Sequence, residues 1–358
     1  MRVVQIIDSL EVGGAERMAI NFANSLSEKI EFSGLIATRK EGLLLNQINK
    51  NVQYTFLNKK NSLDIKSVLL LKNTIKRNKI DVVHAHSSSF FIAVLAKIFY
   101  PRIKIVWHDH YGPRVGQSKV DNKMLIICSL FFDAIFTVNR QLENWSIKNM
   151  YCKNVHFIPN FVKQDFKFEN KTILKGIEGQ KIVFLANLKN PKNHIVILKA
   201  FHNLRLSAKE WSLHLIGKDH LDSYSKELKS FVTTNKLDDS VYFYGLRSDV
   251  SFILSQSSIG VLSSTYEGFP VTLIEYGKSE LAVLSTTAGF CSEIITDQEN
   301  GLLFDPLNQE ELLFKFNQLI DDKNLRKRLS DNLKKSVEKQ YEEQQVIAKI
   351  IFEYSKIK

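Results

Sequence analysis

Cysteine is scarce in this 358-residue chain: three residues, Cys128, Cys152 and Cys291, lie far apart and without metal-ligand spacing. An odd, scattered set argues against a disulfide framework and fits a reducing cytoplasm. Long apolar runs are missing as well. The longest, Phe90–Phe99 and Met124–Phe132, fall short of the roughly 18 residues that a bilayer span needs, and Lys97 interrupts the first. Met1-Arg2 leads straight into a strand-like run, Val3–Ile7, with no basic flank, apolar core or small-residue cleavage site, so a secretory signal is not expected. The G-x-G-x-x-G dinucleotide spacing is absent, and so is any Asp-x-Asp pair. No zinc-ligand, RNA-stacking or basic-heptad pattern occurs, so nucleic acid is not an expected partner.

What is there describes an ordinary globular chain: 44% hydrophobic and 24% charged residues, enough for about two domains at roughly 150 residues each. The net charge is +11, unevenly spread. Residues 1–160 hold 22 Lys and Arg against 12 Asp and Glu, whereas residues 161–358 hold 27 against 26. A basic half attracts an anionic leaflet or a phosphorylated substrate, or is simply a lysine-rich solvated surface.

Short β-rich runs alternate with longer amphipathic ones. Strands are expected at Val3–Ile7, Phe32–Thr38, Val82–His84, Ile103–Trp107, Ala134–Val138 and Val155–Ile158. The rhythm restarts at Ile182–Ala186, Leu213–Ile216, Val241–Tyr244, Ile259–Ser263 and Ala282–Ser285. Ala15, Met18, Ala19, Phe22, Ala23 and Leu26 recur at helical spacing. Apolar strands each followed by a helix read as parallel α/β sheets. The seam falls in the aperiodic Asn160–Gly179, giving domains at 1–163 and 164–340. A last helix over 341–358 is expected to turn at Tyr341 and pack back on the first domain. The aromatic-rich Phe90–Tyr100 reads as a buried helix rather than a membrane anchor.

Three places could carry chemistry. Gly13 and Gly14 join the first strand to the first helix, where glycine lets backbone approach a ligand and helix amides suit an anion; a tight βα turn is the plainer reading. Near Ser263 a strand ends in a loop carrying Glu267, Gly268 and Phe269. Pro270 stands where a helix would begin, a position that costs it no hydrogen bond. The amides of Val271 and Thr272 then offer an anion site at the carboxyl end of a sheet, and Glu275 can accept bonds from two neighbouring hydroxyls, as on a ribose. The third place is His108-Asp109-His110. Two histidines and an Asp could ligate a metal, but no third ligand stands at a convincing spacing, so no metal site is expected. His84 and His86 read as structural.

Glu267 and Glu275, a Glu-x7-Glu pair inside Glu-Gly-Phe-Pro, resemble the hallmark of family-4 retaining glycosyltransferases of the GT-B fold. Gly13-Gly14-Ala15-Glu16-Arg17 is similar to that family's N-terminal glycine loop, Asp81-Val82-Val83-His84-Ala85-His86 to its middle strand, and Ile158-Pro159-Asn160 to its entry into the interdomain linker. The resemblance implies two Rossmann-like parallel-sheet α/β domains facing a cleft. It implies a nucleoside-diphosphate-sugar donor as substrate, no separate cofactor, and retention of anomeric configuration without a metal.

Residue by residue, the resemblance implies that Glu275 binds the donor ribose and Glu267 the transferred sugar, and that the backbone from Phe269 to Thr272 binds the diphosphate. Gly14 would reach that diphosphate from the first domain. Lys192 matches a phosphate-binding Lys. Asn187 stands where the family has an Arg, a departure that Lys189 could offset. Gly245-Leu246-Arg247 would pack the base. His110 matches the family's sugar-facing His better than His108 does. Catalytic roles then fall to His110, Glu267 and Lys192. Family habit adds a saccharide or lipid-linked saccharide acceptor at the inner membrane face, in bacterial surface-polysaccharide synthesis. Two rival readings are a sugar-nucleotide epimerase of the same fold and a non-enzymatic polyanion-binding protein.

Overall fold

The computed structural model describes residues 1–11, 13–162 and 171–358. Its chain divides into two compact units, residues 1–161 with 343–358, and residues 162–342. The expected boundary at 163/164 lies outside the described residues.

The first unit contains strands β1 (Arg2–Ser9), β2 (Phe32–Lys40), β3 (Gln53–Phe56), β4 (Val82–His86), β5 (Lys104–Asp109), β6 (Ala134–Thr137) and β7 (Val155–Phe157). Its helices are α1 (Gly14–Leu26), α2 (Ile65–Arg77), α3 (Phe90–Phe99), α4 (Lys123–Cys128) and α5 (Arg140–Asn149). The second unit contains β8 (Lys181–Leu185), β9 (Ser212–Ile216), β10 (Val241–Gly245), β11 (Ile259–Leu262), β12 (Ala282–Thr286) and β13 (Leu302–Phe304). Its helices are α6 (His194–Asn203), α7 (Ser223–Thr234), α8 (Val250–Ser255), α9 (Val271–Lys278), α10 (Cys291–Ile294), α11 (Gln309–Asp321) and α12 (Lys323–Gln340). The last helix, α13 (Glu343–Ile357), belongs to the first unit.

Every strand pair among the described residues is parallel, in the orders β3-β2-β1-β4-β5-β6-β7 and β10-β9-β8-β11-β12-β13. In each sheet the order reverses once, between β1 and β4 and between β8 and β11. Chain leaving the carboxyl ends of two such neighbours diverges and opens a crevice, which is where doubly wound sheets bind ligands. In the second unit the loops that flank this point carry Lys192 and Glu267.

Helices cover both faces of the first sheet. One face buries Val83, Ala85, Ile105, Trp107 and Ile135 with α3 and α4. The other buries Val3, Val82, Val106 and Phe136 with Met18 and Phe22 of α1 and with Val346, Ile347, Ile350 and Tyr354 of α13. Fully burying each such side chain stabilises by about 1.5–3 kcal/mol, so four on α13 fix it to this unit. Among the described residues no helix is long and apolar enough to cross a membrane.

Most expected strands appear within a few residues of their places. Two were not anticipated, β3 and β13. Pro270 sits one position earlier than expected. With ψ at 83° it is the cap, and the helix begins at Val271.

Helix α9 is fastened to the sheet by one phenol. Tyr276 Oη accepts from Leu185 N at 2.9 Å and lies 3.1 Å from Val261 O and 3.3 Å from Val183 O, linking α9 to β8 and β11. Its ring fills the space where a side chain at Gly260 would stand. Tyr276→Phe leaves a buried amide without its acceptor. It is expected to cost about 1–3 kcal/mol, read by urea unfolding; a variant as stable as wild type would contradict this fastening.

Candidate active site

Strand β11 ends at Leu262, and Ser263 and Ser264, both fully buried, start the loop to α9. Ser263 Oγ donates to Asn193 O at 2.9 Å, and Thr265 N to Pro191 O at 2.9 Å, so this loop is laced to the one after β8. The second of these bonds joins backbone to backbone and does not depend on side-chain identity. Glu267, only 8% exposed, accepts at the same oxygen from Lys192 Nζ and from Ser264 Oγ, each at 2.6 Å. A buried carboxylate needs such partners. Its backbone is just as tightly placed. Gly289 (φ +61°) passes so close that an added Cβ would fall 1.8 Å from Glu267 O, so that position requires glycine. Sequence reasoning missed Gly289, and a lone Gly after β12 gave little signal.

The amino end of α9 follows. Val271 N donates to Phe269 O at 3.0 Å and Leu273 N to Pro270 O at 3.0 Å, whereas Thr272 N has no acceptor among the described residues. The expectation of two available amides is therefore corrected: the turn made by Pro270 consumes the first. Phe269 stacks on Phe290 at 5.3 Å and meets Tyr341 edge-on at 5.8 Å, which sets the entry angle of the helix. Glu275 is half-buried on α9, and Gly268 lies in the loop before it.

Lys192, 25% exposed at its side chain, is placed beside Glu267, while Lys189 is exposed. Asn187 Oδ1 accepts from Lys218 N at 2.9 Å, tying the loop after β8 to that after β9, a bond that does not use its Nδ2 donor. An amide acceptor does what an arginine there could not. Arg247 is exposed and bonds the neighbouring Leu246 carbonyl at 3.1 Å, and Gly245 has φ +68°.

In the first unit, Gly13 is extended (φ −158°) and caps α1; an added Cβ there would fall 2.2 Å from Glu16 Oε2, whereas one at Gly14 would meet open space. Val12, between them and β1, lies outside the described residues. The histidines form a connected group. Parallel pairing sets Gln5 beside His84 and His86 beside His108, and alternation puts all four side chains on one face. His84 Nδ1 lies 2.5 Å from Tyr354 Oη and its Nε2 3.2 Å from His108 Nδ1. His86 Nε2 lies 2.8 Å from Gln5 Oε1 and its Nδ1 2.9 Å from His110 Nε2.

This corrects the expectation that His108 has no third ligand near it: His84, His86 and His108 offer ligand atoms within 4.8 Å of one another. Their nitrogens are largely spent on hydrogen bonds, however, and the rings stack rather than converge. Asp109 points to the opposite face, where Arg114 Nε donates to it at 2.6 Å and Tyr111 N at 3.0 Å, fixing the turn that presents His110.

Burial drives the titration of this group. It holds His84, His86 and His108 well below their ordinary value and lowers His110 to about 3. The unfolded chain binds protons at these rings below about pH 6.5 while the folded chain does not, so stability is full above that pH and falls as the pH drops below it, by up to ~1.4 kcal/mol per pH unit per ring. Thermal melts from about pH 7.5 to 5 are expected to show a midpoint that declines below about pH 6.5; a flat profile would contradict neutral, buried imidazoles.

Two parallel sheets of this order, each with a crevice at its reversal, define the GT-B class of fold. Solved structures agree. A glycosyltransferase from Rickettsia africae is 18% identical with a TM-score of 0.82, covering 99% of this chain and 98% of that one. Anabaena HepE in complex with UDP and glucose is 16% identical with a TM-score of 0.80, covering 99% and 100%. The family model "Glycosyltransferase Family 4" matches residues 12–166, and "Glycosyl transferases group 1" matches residues 165–336. The chain belongs to the family-4-like glycosyltransferases with the GT-B fold. Among its relatives is the Campylobacter jejuni GalNAc-alpha-(1->4)-GalNAc-alpha-(1->3)-diNAcBac-PP-undecaprenol alpha-1,4-N-acetyl-D-galactosaminyltransferase, 23% identical over 93% of each chain. An uncharacterized glycosyltransferase of Haemophilus influenzae is 24% identical over 89% of this chain and 90% of that one.

Proposed function

We propose that the protein transfers a sugar, with retention and without a resident metal or cofactor, from a nucleoside-diphosphate sugar to a lipid-linked saccharide in bacterial surface-polysaccharide synthesis. The observation that carries this reading is the Lys192–Glu267 pair on the loops at the switch point of the second sheet, with the Thr272 amide and Glu275 on the helix that follows. In this reading the diphosphate meets the Thr272 amide and Lys192, whose ammonium has three donors and gives one to Glu267. Glu275 takes the ribose hydroxyls and Glu267 those of the transferred sugar. Phe269, Gly268 and Val271 shape the turn. Gly245 to Arg247 face the base. Gly13, Gly14 and His110 are the substrate-facing residues of the first unit in this reading. HepE in complex with UDP and the C. jejuni relative's undecaprenol-linked substrate support a uridine donor and a lipid-linked acceptor.

The chemistry follows from charge. When the bond from the anomeric carbon to the diphosphate oxygen breaks, the electron pair leaves with the phosphate, and preorganised positive groups stabilise it. The acceptor oxygen bonds to the anomeric carbon on the same face, and its proton passes to the departing phosphate oxygen.

Thermal-shift titrations with uridine, guanosine and adenosine diphosphates are expected to single out one base, and Glu275→Ala to weaken that nucleotide's binding by about tenfold, the worth of one or two hydrogen bonds. No shift with any of the three would contradict a donor site here. Donor incubated without acceptor is expected to remain unchanged; its conversion to an epimer would favour an epimerase instead.

Membrane association is part of the same proposal. Val120, Met124, Ile127, Leu130 and Phe131 are exposed along α4 and its flanks, beside exposed Lys119 and Lys123. Apolar side chains among lysines suit an anionic leaflet, each Lys adding about 1 kcal/mol near it. Sedimentation with phosphatidylglycerol vesicles is expected at low salt and to be reduced in Ile127→Ser/Leu130→Ser; no binding at low salt would end the idea.

A further inference from the structure

Four clustered imidazoles are more than a single sugar contact needs, and their connectivity is directional. Gln5 Oε1 can only accept, so at 2.8 Å it takes the proton of His86 Nε2. A neutral His86 then has a lone pair at Nδ1, which His110 Nε2 must supply with a proton across 2.9 Å. His110 is left with its lone pair at Nδ1. That atom has no hydrogen-bond partner among the described residues, and His110, unlike Gln5, His86 and His108, is not fully buried.

We propose that Gln5 and His86 are positioning residues that hold His110 as its Nε2–H tautomer, with Nδ1 presented as an acceptor for a hydroxyl of the sugar substrate. The inference rests on the proposed role of His110 as a substrate contact, but the tautomer stands on the hydrogen bonds themselves. Three features support it. Gln5 and His86 are fully buried, so water cannot substitute for either partner. Burial keeps the His86 and His110 rings neutral, which makes each proton's place matter. The Arg114–Asp109 pair and the Tyr111 amide fix the turn that bears His110, leaving its ring little freedom to swivel. Fixing a tautomer through a buried partner is a general way to set the direction of an imidazole.

The test uses two substitutions of nearly equal volume at Gln5. In Gln5→Glu the carboxylate favours a protonated His86, whose Nδ1–H becomes a donor, so His110 must accept at Nε2 and carry its proton on Nδ1. In Gln5→Met no side-chain oxygen remains and both tautomers mix. Nitrogen-15 spectra of the full-length, histidine-labelled protein are expected to give an Nε2–H His110 in wild type, its reverse in Gln5→Glu and a mixture in Gln5→Met. Transfer rate is expected to fall by about tenfold in Gln5→Glu, the loss of one hydrogen bond to substrate, and by a smaller factor in Gln5→Met, where part of the population keeps the competent tautomer, with uridine diphosphate binding unchanged. A packing role alone would spare Gln5→Glu. An Nδ1–H His110 in wild type, or the wild-type tautomer retained in Gln5→Glu, would overturn the proposal. Correct tautomers with no effect on rate would instead overturn the role of His110 as a substrate contact.

Discussion

The second unit depends on one buried carboxylate. Glu267 lies where water hardly reaches, and an unpaired charge there would be costly. Lys192 and Ser264 both turn to it at 2.6 Å: the serine braces it within its own loop, and the lysine fixes the loop after β8 against the loop after β11. Gly289 completes the enclosure by letting a third loop approach the Glu267 carbonyl. The ion pair therefore shapes the crevice at the point where the strand order reverses.

The first unit solves a similar problem without charge. Gln5, His84, His86 and His108 form a polar stripe across a face otherwise made of Val3, Val82, Val106 and Phe136. Hydrogen bonds link His84 to His108 and His86 to Gln5, Tyr354 of α13 closes one end, and His108 Nε2 and Gln5 Nε2 have no hydrogen-bond partner among the described residues. The opposite face of β5 holds a buried ion pair, Asp109 with Arg114, which shapes the turn rather than any ligand site. One strand thus sends an imidazole to one side and a carboxylate to the other, so neighbours in sequence have separate tasks.

Much of this was legible in the sequence because apolar runs buried on both faces announce parallel strands. Strand β3 was missed because Gln53-Tyr54-Thr55-Phe56 is a half-exposed edge without a strong apolar run, and β13 because three residues are too few to show a period. The pairing of Lys192 with Glu267 was legible only through the family resemblance, because 75 residues separate the two in sequence. The part played by Asn187 was not legible: its bond to Lys218 is a contact between loops that no local pattern encodes. The same holds for the histidines. His86 and His108 meet only through strand register, a neighbourhood that the spacing around His108 in sequence does not show.

The most direct measurement is a crystal structure of the protein with uridine diphosphate. A phosphate oxygen is expected within hydrogen-bond distance of Thr272 N and of Lys192 Nζ, with the ribose hydroxyls at Glu275. Density for the nucleotide elsewhere, with the amino end of α9 holding only water, would contradict a donor site built on that helix.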